Sequence, residues 1–239
     1  MLLPYSVDAL SKFIMKTDAD MVLGAFLNET KNGEIIKKGQ SDTTWLHGNI
    51  YKVKFLKDNN IRFAAYYNED GGFNTQCYLL SDKIQYLDIP VYFWSYNKDS
   101  ITRTDAFWIL HNANHIVDSL VPAYQNIIKQ SEGKDASKIL HSLSNHFAFF
   151  YNIYNAMLTM EPQERETHKS FIKTLKNFAK EFDLNSQFQN LPFQGDFVNA
   201  ISQYTILPIQ TKEIALKDFF TMCGLTYSID MTKLIQVNK

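Results

Sequence analysis

Tyr51-Lys52-Val53-Lys54-Phe55, Ile61-Arg62-Phe63-Ala64-Ala65-Tyr66-Tyr67 and Phe73-Asn74-Thr75-Gln76-Cys77-Tyr78-Leu79 are three runs in which every second residue, Thr75 excepted, is apolar or aromatic. Asp58-Asn59-Asn60 and Asp70-Gly71-Gly72 separate them. A period of two between short loops of Asn, Asp and Gly predicts an antiparallel meander. Val91-Tyr92-Phe93-Trp94-Ser95-Tyr96 extends it, with Pro90 at a strand start, where no ladder hydrogen bond is lost. Residues 34–38 and 44–46 are candidates for further short strands, and the meander spans about residues 44–96.

Upstream the period is near 3.6. Ser6 is a candidate N-cap, with Leu10, Phe13 and Ile14 at helical spacing. Thr17-Asp18-Ala19-Asp20 offers a second start before Met21, Val22, Ala25 and Phe26, and Asn32-Gly33 a stop. One bent helix and two short ones fit equally.

Downstream, Ser100 to Met160 is the longest helical pattern. A turn at Ser131–Asp135 divides it into a hairpin whose second arm carries Leu140, Leu143, Phe147, Phe150, Tyr154 and Met157. Pro122 predicts a kink or break, since its ring crowds the carbonyl of Asp118. Pro162 suits the first turn of a further helix, striped by Phe171, Leu175, Phe178 and Phe182. Beyond a loop over 183–195, Asp196 caps a short helix, Thr211 caps another that Gly224 stops, and 228–237 reads as helix or strand. Strands first and helices afterwards predict an α+β fold: an N-terminal helix, an antiparallel sheet, then a helical bundle over about 103–236. Sub-regions 1–98 and 99–239 both need apolar surface to pack against, which predicts one packed unit over 1–239.

The 239 residues carry 24 basic and 25 acidic side chains, for a net charge of −1. No half is strongly basic, so a nucleic-acid partner is not expected. Lys52, Lys54 and Arg62 beside Tyr66 and Tyr78 read as a solvated sheet face rather than a single-strand platform. A helix-turn-helix over 211–235 is disfavoured by Asp230 and Lys233 at positions that would have to pack. Cys77 and Cys223 are the only cysteines and suit a reducing compartment. Neither a signal sequence nor a spanning apolar run is apparent, so a cytoplasmic protein is expected.

His111, His115 and Asp118 share one helix face at i, i+4 and i+7. Two imidazoles one turn apart can hold a metal ion, and a carboxylate can ligate or act as base. The face lies about 120–180° from the apolar stripe of Leu110, Ala113, Val117 and Leu120. A solvated polar face is the plainer reading. His146, on the partner arm, is the third ligand if geometry permits, and His141 points away. Glu69-Asp70-Gly71-Gly72 could hold a cation or phosphate, but its composition is that of an ordinary turn.

Phosphate-cradling loops, nucleophile elbows and Cys-x-x-Cys pairs are absent. With 18 Phe, 13 Tyr and 3 Trp, the chain reads first as a non-catalytic intracellular interaction module, of inhibitor, immunity or defence-accessory type. Its partner is another protein, its docking face Tyr66, Tyr92, Trp94 and Tyr96, and no cofactor is expected. The alternative is a metal-dependent hydrolase with His111, His115 and His146 as ligands to an ion such as zinc and Asp118 as ligand or base.

Overall fold

A computed structural model describes residues 1–39, 45–64, 69–100, 108–132, 136–158, 160–184, 217–218 and 221–224. The α+β class holds: an N-terminal helix, a small sheet with antiparallel pairings, and helices afterwards. Two compact units are present, residues 1–106 with 119–133 and residues 107–118 with 134–239.

In the first unit, helix α1 (Ser6–Thr17) stops where Asp18 turns left-handed at φ 49°. Tyr5, not Ser6, is the N-cap residue, and the buried Ser6 hydroxyl donates to the carbonyl of Val91 instead. Met21-Val22-Leu23-Gly24-Ala25-Phe26-Leu27 is uninterruptedly apolar. As a helix it would be greasy on every side; as a central strand it is buried on both faces. The stretch expected to continue the helix is accordingly strand β1 (Met21–Glu29), its first six residues buried. Gly33, expected as a helix stop, sits at φ 78° in the turn to β2 (Ile35–Lys38).

Strand β4 (Ile84–Trp94) runs parallel along β1 from Met21 to Asn28. Both β2 and β3 (Asn49–Tyr51) pair with β1 antiparallel, at its C-terminal and N-terminal portions respectively. Pro90 falls inside β4, not at its start, where the register slips opposite Ala25. The slip spares the sheet a full ladder at the residue that lacks an N–H. Leu10, Ala19, Val22, Leu87 and Val91 form a core, with Phe13, Ile14 and Ile50 packed on it.

Of the runs that read as meander strands, the first is helical from Val53 and the third, Phe73–Leu79, is wholly helical, Ile61–Ala64 is neither helix nor strand, and Val91–Trp94 is strand as expected. Residues Val53–Asp58 form α2, supported by a Lys54–Asp58 ion pair one turn apart. Glu69–Leu80 is α3. Asn74 and Gln76, read as a polar face, are buried and bonded. Tyr51 Oη donates to Asn74 Oδ1 at 2.7 Å, Gln76 Nε2 donates to the Arg62 carbonyl at 3.1 Å, and Asn126 Nδ2 donates to Gln76 Oε1 at 2.7 Å. Once the polar residues are internal, alternation no longer distinguishes strand from helix. A Cβ on Gly72 would lie 2.8 Å from the Ser119 carbonyl oxygen, so only glycine lets these backbones approach so closely.

The helices that follow are α4 (Trp108–His111), α5 (Ala113–Gln130), α6 (Ser137–Leu158), α7 (Pro162–Thr167) and α8 (Lys169–Glu181). Residues 113–118 of α5 count with the second unit and 119–130 with the first. The helix assignment continues through Pro122, where a break was an expected alternative. In the second unit Leu143, Phe147 and Phe150 of α6 are buried, as are Phe171, Leu175, Phe178 and Phe182, the predicted stripe. Phe150 meets Phe178 edge-on at 5.6 Å. Among the described residues no helix is long and apolar enough to cross a membrane. The expectations for Thr104–Phe107, for 185–216 and for 228–237 lie outside the described residues, as does Tyr66.

Candidate functional site

The start of α3 gathers the most chemically informative group in the first unit. Asp70 is half-buried, and its Oδ1 accepts the Gly71 N–H at 2.8 Å. Its pKa is raised, chiefly because burial strips water from the carboxylate, with the neighbouring Glu69 charge adding to the shift; the Gly71 bond opposes it. Phe73 and Asn74 lie three and four residues on, which puts them on the face of α3 that carries Asp70. Phe73 stacks on Phe63 at 4.0 Å, with the rings 5° from parallel, and Tyr51 meets it edge-on. The Asn74 side chain is 1% exposed, and its Nδ2 has no hydrogen-bond partner among the described residues. A carboxylate whose pKa is raised by burial, an aromatic wall and an unused buried donor are what a proton-transfer site needs.

Tyr92 and Trp94 do not form an open docking face. His47 lies 5.0 Å from Tyr92 and 5.4 Å from Trp94, Trp45 lies 5.0 Å from Trp94, and the buried Phe26 meets Trp45, His47 and Trp94. Burial pushes the His47 imidazole down to about 4, with the chain's amino terminus adding to it. Tyr92, Trp94 and Tyr96 are each only partly exposed. The Tyr96 N–H donates to Glu29 Oε2 at 2.9 Å.

The histidines of the hairpin scatter. His111 and His115 are exposed, and Asp118 is partly buried. His146 is partly buried, with Nδ1 3.0 Å from the Ser142 carbonyl and a pKa lowered by burial to about 4. Among the described residues no group of three or more His, Cys, Asp or Glu could hold a metal ion. His111 instead stacks on His168, a residue that carried no signal in the sequence. A cavity of about 450 Å³ opens beside Lys176, Lys180, Thr221 and Cys223. Burial pushes the Cys223 thiol up to about 12, which leaves it no nucleophile near neutral pH.

No family model matches the chain, and no curated protein does. Similar solved structures are those of S. aureus TarS 1–349. The complex with UDP is 16% identical at a TM-score of 0.41, covering 97% of this chain and 61% of that one. The complex with UDP-GlcNAc is 17% identical at 0.48, covering 96% and 67%. TarS 1–349 without a named ligand is 15% identical at 0.46, covering 99% and 62%. The chain thus spans about three fifths of the first of these. Likeness at this level establishes no shared activity. The non-catalytic module read from the sequence is corrected all the same. Its described docking rings pack on one another.

Proposed function

We propose that this chain is part of an enzyme that transfers a glycosyl group from a nucleotide sugar to a hydroxyl, with Asp70 as general base. The observation that supports the reading is Asp70 itself, half-buried at the start of α3 with its pKa raised. The donor class is taken over from the ligands of the TarS complexes and is what the experiment tests. In the step, Asp70 takes the proton of the acceptor hydroxyl while its oxygen forms a bond to the anomeric carbon. The bond from that carbon to the diphosphate oxygen breaks, and the nucleoside diphosphate leaves. Positioned proton transfer contributes about 10²–10⁴ in rate, and a pKa nearer the working pH serves it better than an ordinary aspartate.

The test is release of UDP from UDP-GlcNAc with a panel of hydroxyl acceptors, in wild type and in Asp70→Asn. Wild type should turn over, and the variant should lose about 100-fold or more while keeping its circular dichroism. Equal rates in the two proteins, or no turnover by wild type, would overturn the reading.

A further inference from the structure

Phe63 stands on the aromatic wall beside Asp70 and is half in water. Its ring lies on that of Phe73, 4.0 Å away and 5° from parallel. Phe73 itself is 5% exposed and meets Tyr51 edge-on at 5.2 Å. One face of the Phe63 ring is therefore covered. The exposure of this residue, 52%, falls on the other face and the rim.

The plate is also held from behind. Ile61 is 2% exposed, and its N–H donates to the Leu56 carbonyl at 2.9 Å. Gln76 Nε2, on α3, donates to the Arg62 carbonyl at 3.1 Å. The two residues before Phe63 are thus anchored, one in the core and one to the helix that carries Asp70. Leaving so large an apolar side chain in water forgoes stability that burial would supply. An aromatic ring that is both exposed and fixed is suited to a preformed ligand contact, since little freedom is lost when something settles on it.

The neighbours define the occupant. Asp70 and Phe73 are one helical turn apart on one face of α3, so a group resting on Phe63 lies near the Asp70 carboxylate. Glu69 and Asp70 put two carboxylates in the first turn, and the Glu69 charge adds to the raised Asp70 pKa. Such a pair repels a diphosphate and favours a neutral molecule. Arg62, the basic residue next to Phe63 in the chain, turns its guanidinium to the Ile61 carbonyl at 3.5 Å. A nucleobase is flat but offers no alcohol to a base. A pyranose ring has an apolar C–H face for the aromatic plate and a rim of hydroxyls for the carboxylate. We propose that Phe63 is the platform on which a neutral pyranoside stacks, and that this ring is the acceptor whose hydroxyl reaches Asp70. Its role as acceptor rests on the glycosyl-transfer reading; its binding does not.

Methyl β-D-glucopyranoside, whose ring faces carry only axial C–H groups, and the acyclic polyol sorbitol are the probes. Each is titrated into the full chain by saturation-transfer NMR and then offered as acceptor with UDP-GlcNAc. The glucoside should bind through its ring C–H protons, and sorbitol about tenfold more weakly or not at all. Phe63→Ala should weaken glucoside binding about tenfold, and Phe63→Trp should retain it. Both variants should fold, because the side chain they change is exposed. In turnover the loss in Phe63→Ala should lie in KM for the glucoside rather than in kcat. Glucoside binding that depends on Phe63, without UDP release, would support the platform while overturning glycosyl transfer. Absence of glucoside binding, binding undiminished in Phe63→Ala, or equal binding of sorbitol would overturn the platform.

Discussion

Single side chains near the sheet carry charges whose pH behaviour follows from their partners. Asp18 accepts from Lys52 at 2.5 Å and from Lys83 at 3.0 Å, and these partners hold its carboxyl down to about 2. A depressed acid contributes stability that is present above its unfolded pKa and lost as pH falls through the folded one, here from about 3.9 toward about 2. Carboxyl carbon NMR should show this midpoint, and Lys52→Met should move it back up; no movement would mean that Lys52 is not its main partner. Asp70 has the opposite sign. Its folded pKa is raised, so folding loses stability as pH rises from the ordinary aspartate value through the raised one. Asp70→Asn should therefore be at least as stable as wild type at neutral pH in a urea titration, although it loses activity. Stability given up at one residue in return for chemistry is common at functional sites.

Elements show where pattern and packing part company. The stripe of α8 was readable because its charged residues point to solvent and its aromatic ones do not. Strand β1 was misread as helix because a fully buried strand has no polar period to display, and α3 was misread as strand because its polar residues are buried. For the same reason Asp70 was read as part of an ordinary turn, with a cation or phosphate site as the lesser alternative, and His168 not at all, since its partner is 57 residues away in the chain. The parallel pairing of β1 with β4 depends on Gly24. A Cβ there would lie 2.3 Å from Val91 Cγ2 and 2.7 Å from the Gly48 carbonyl oxygen. The side chain could rotate, but the backbone oxygen has to shift with its whole turn, and the Gly24 N–H bonds it at 3.0 Å. Gly24→Ala should cost about 1–3 kcal/mol in denaturant unfolding. A cost near zero would show that the turn at Gly48 yields freely.

At the scale of the molecule, each unit carries a histidine whose pKa burial lowers to about 4, His47 in the first and His146 in the second. For a base whose folded pKa is depressed, the unfolded chain binds more protons between the two values, so stability falls as pH drops from about 6.5 toward 4. Both units should therefore weaken over one acid window, and His47→Gln/His146→Gln should flatten that dependence in urea titrations at pH 7.5 and 5. The proposed activity, by contrast, rests on one carboxylate, Asp70. The pH–rate profile of UDP release from UDP-GlcNAc by the whole chain tests that claim most directly, over a range in which circular dichroism shows the fold intact. A base must be ionised to accept a proton, so the rate should climb with pH through a midpoint above the ordinary aspartate value of about 3.9. That limb should be missing from whatever activity Asp70→Asn retains. A flat profile, or the same acid limb in the variant, would contradict the assignment of Asp70 as the base.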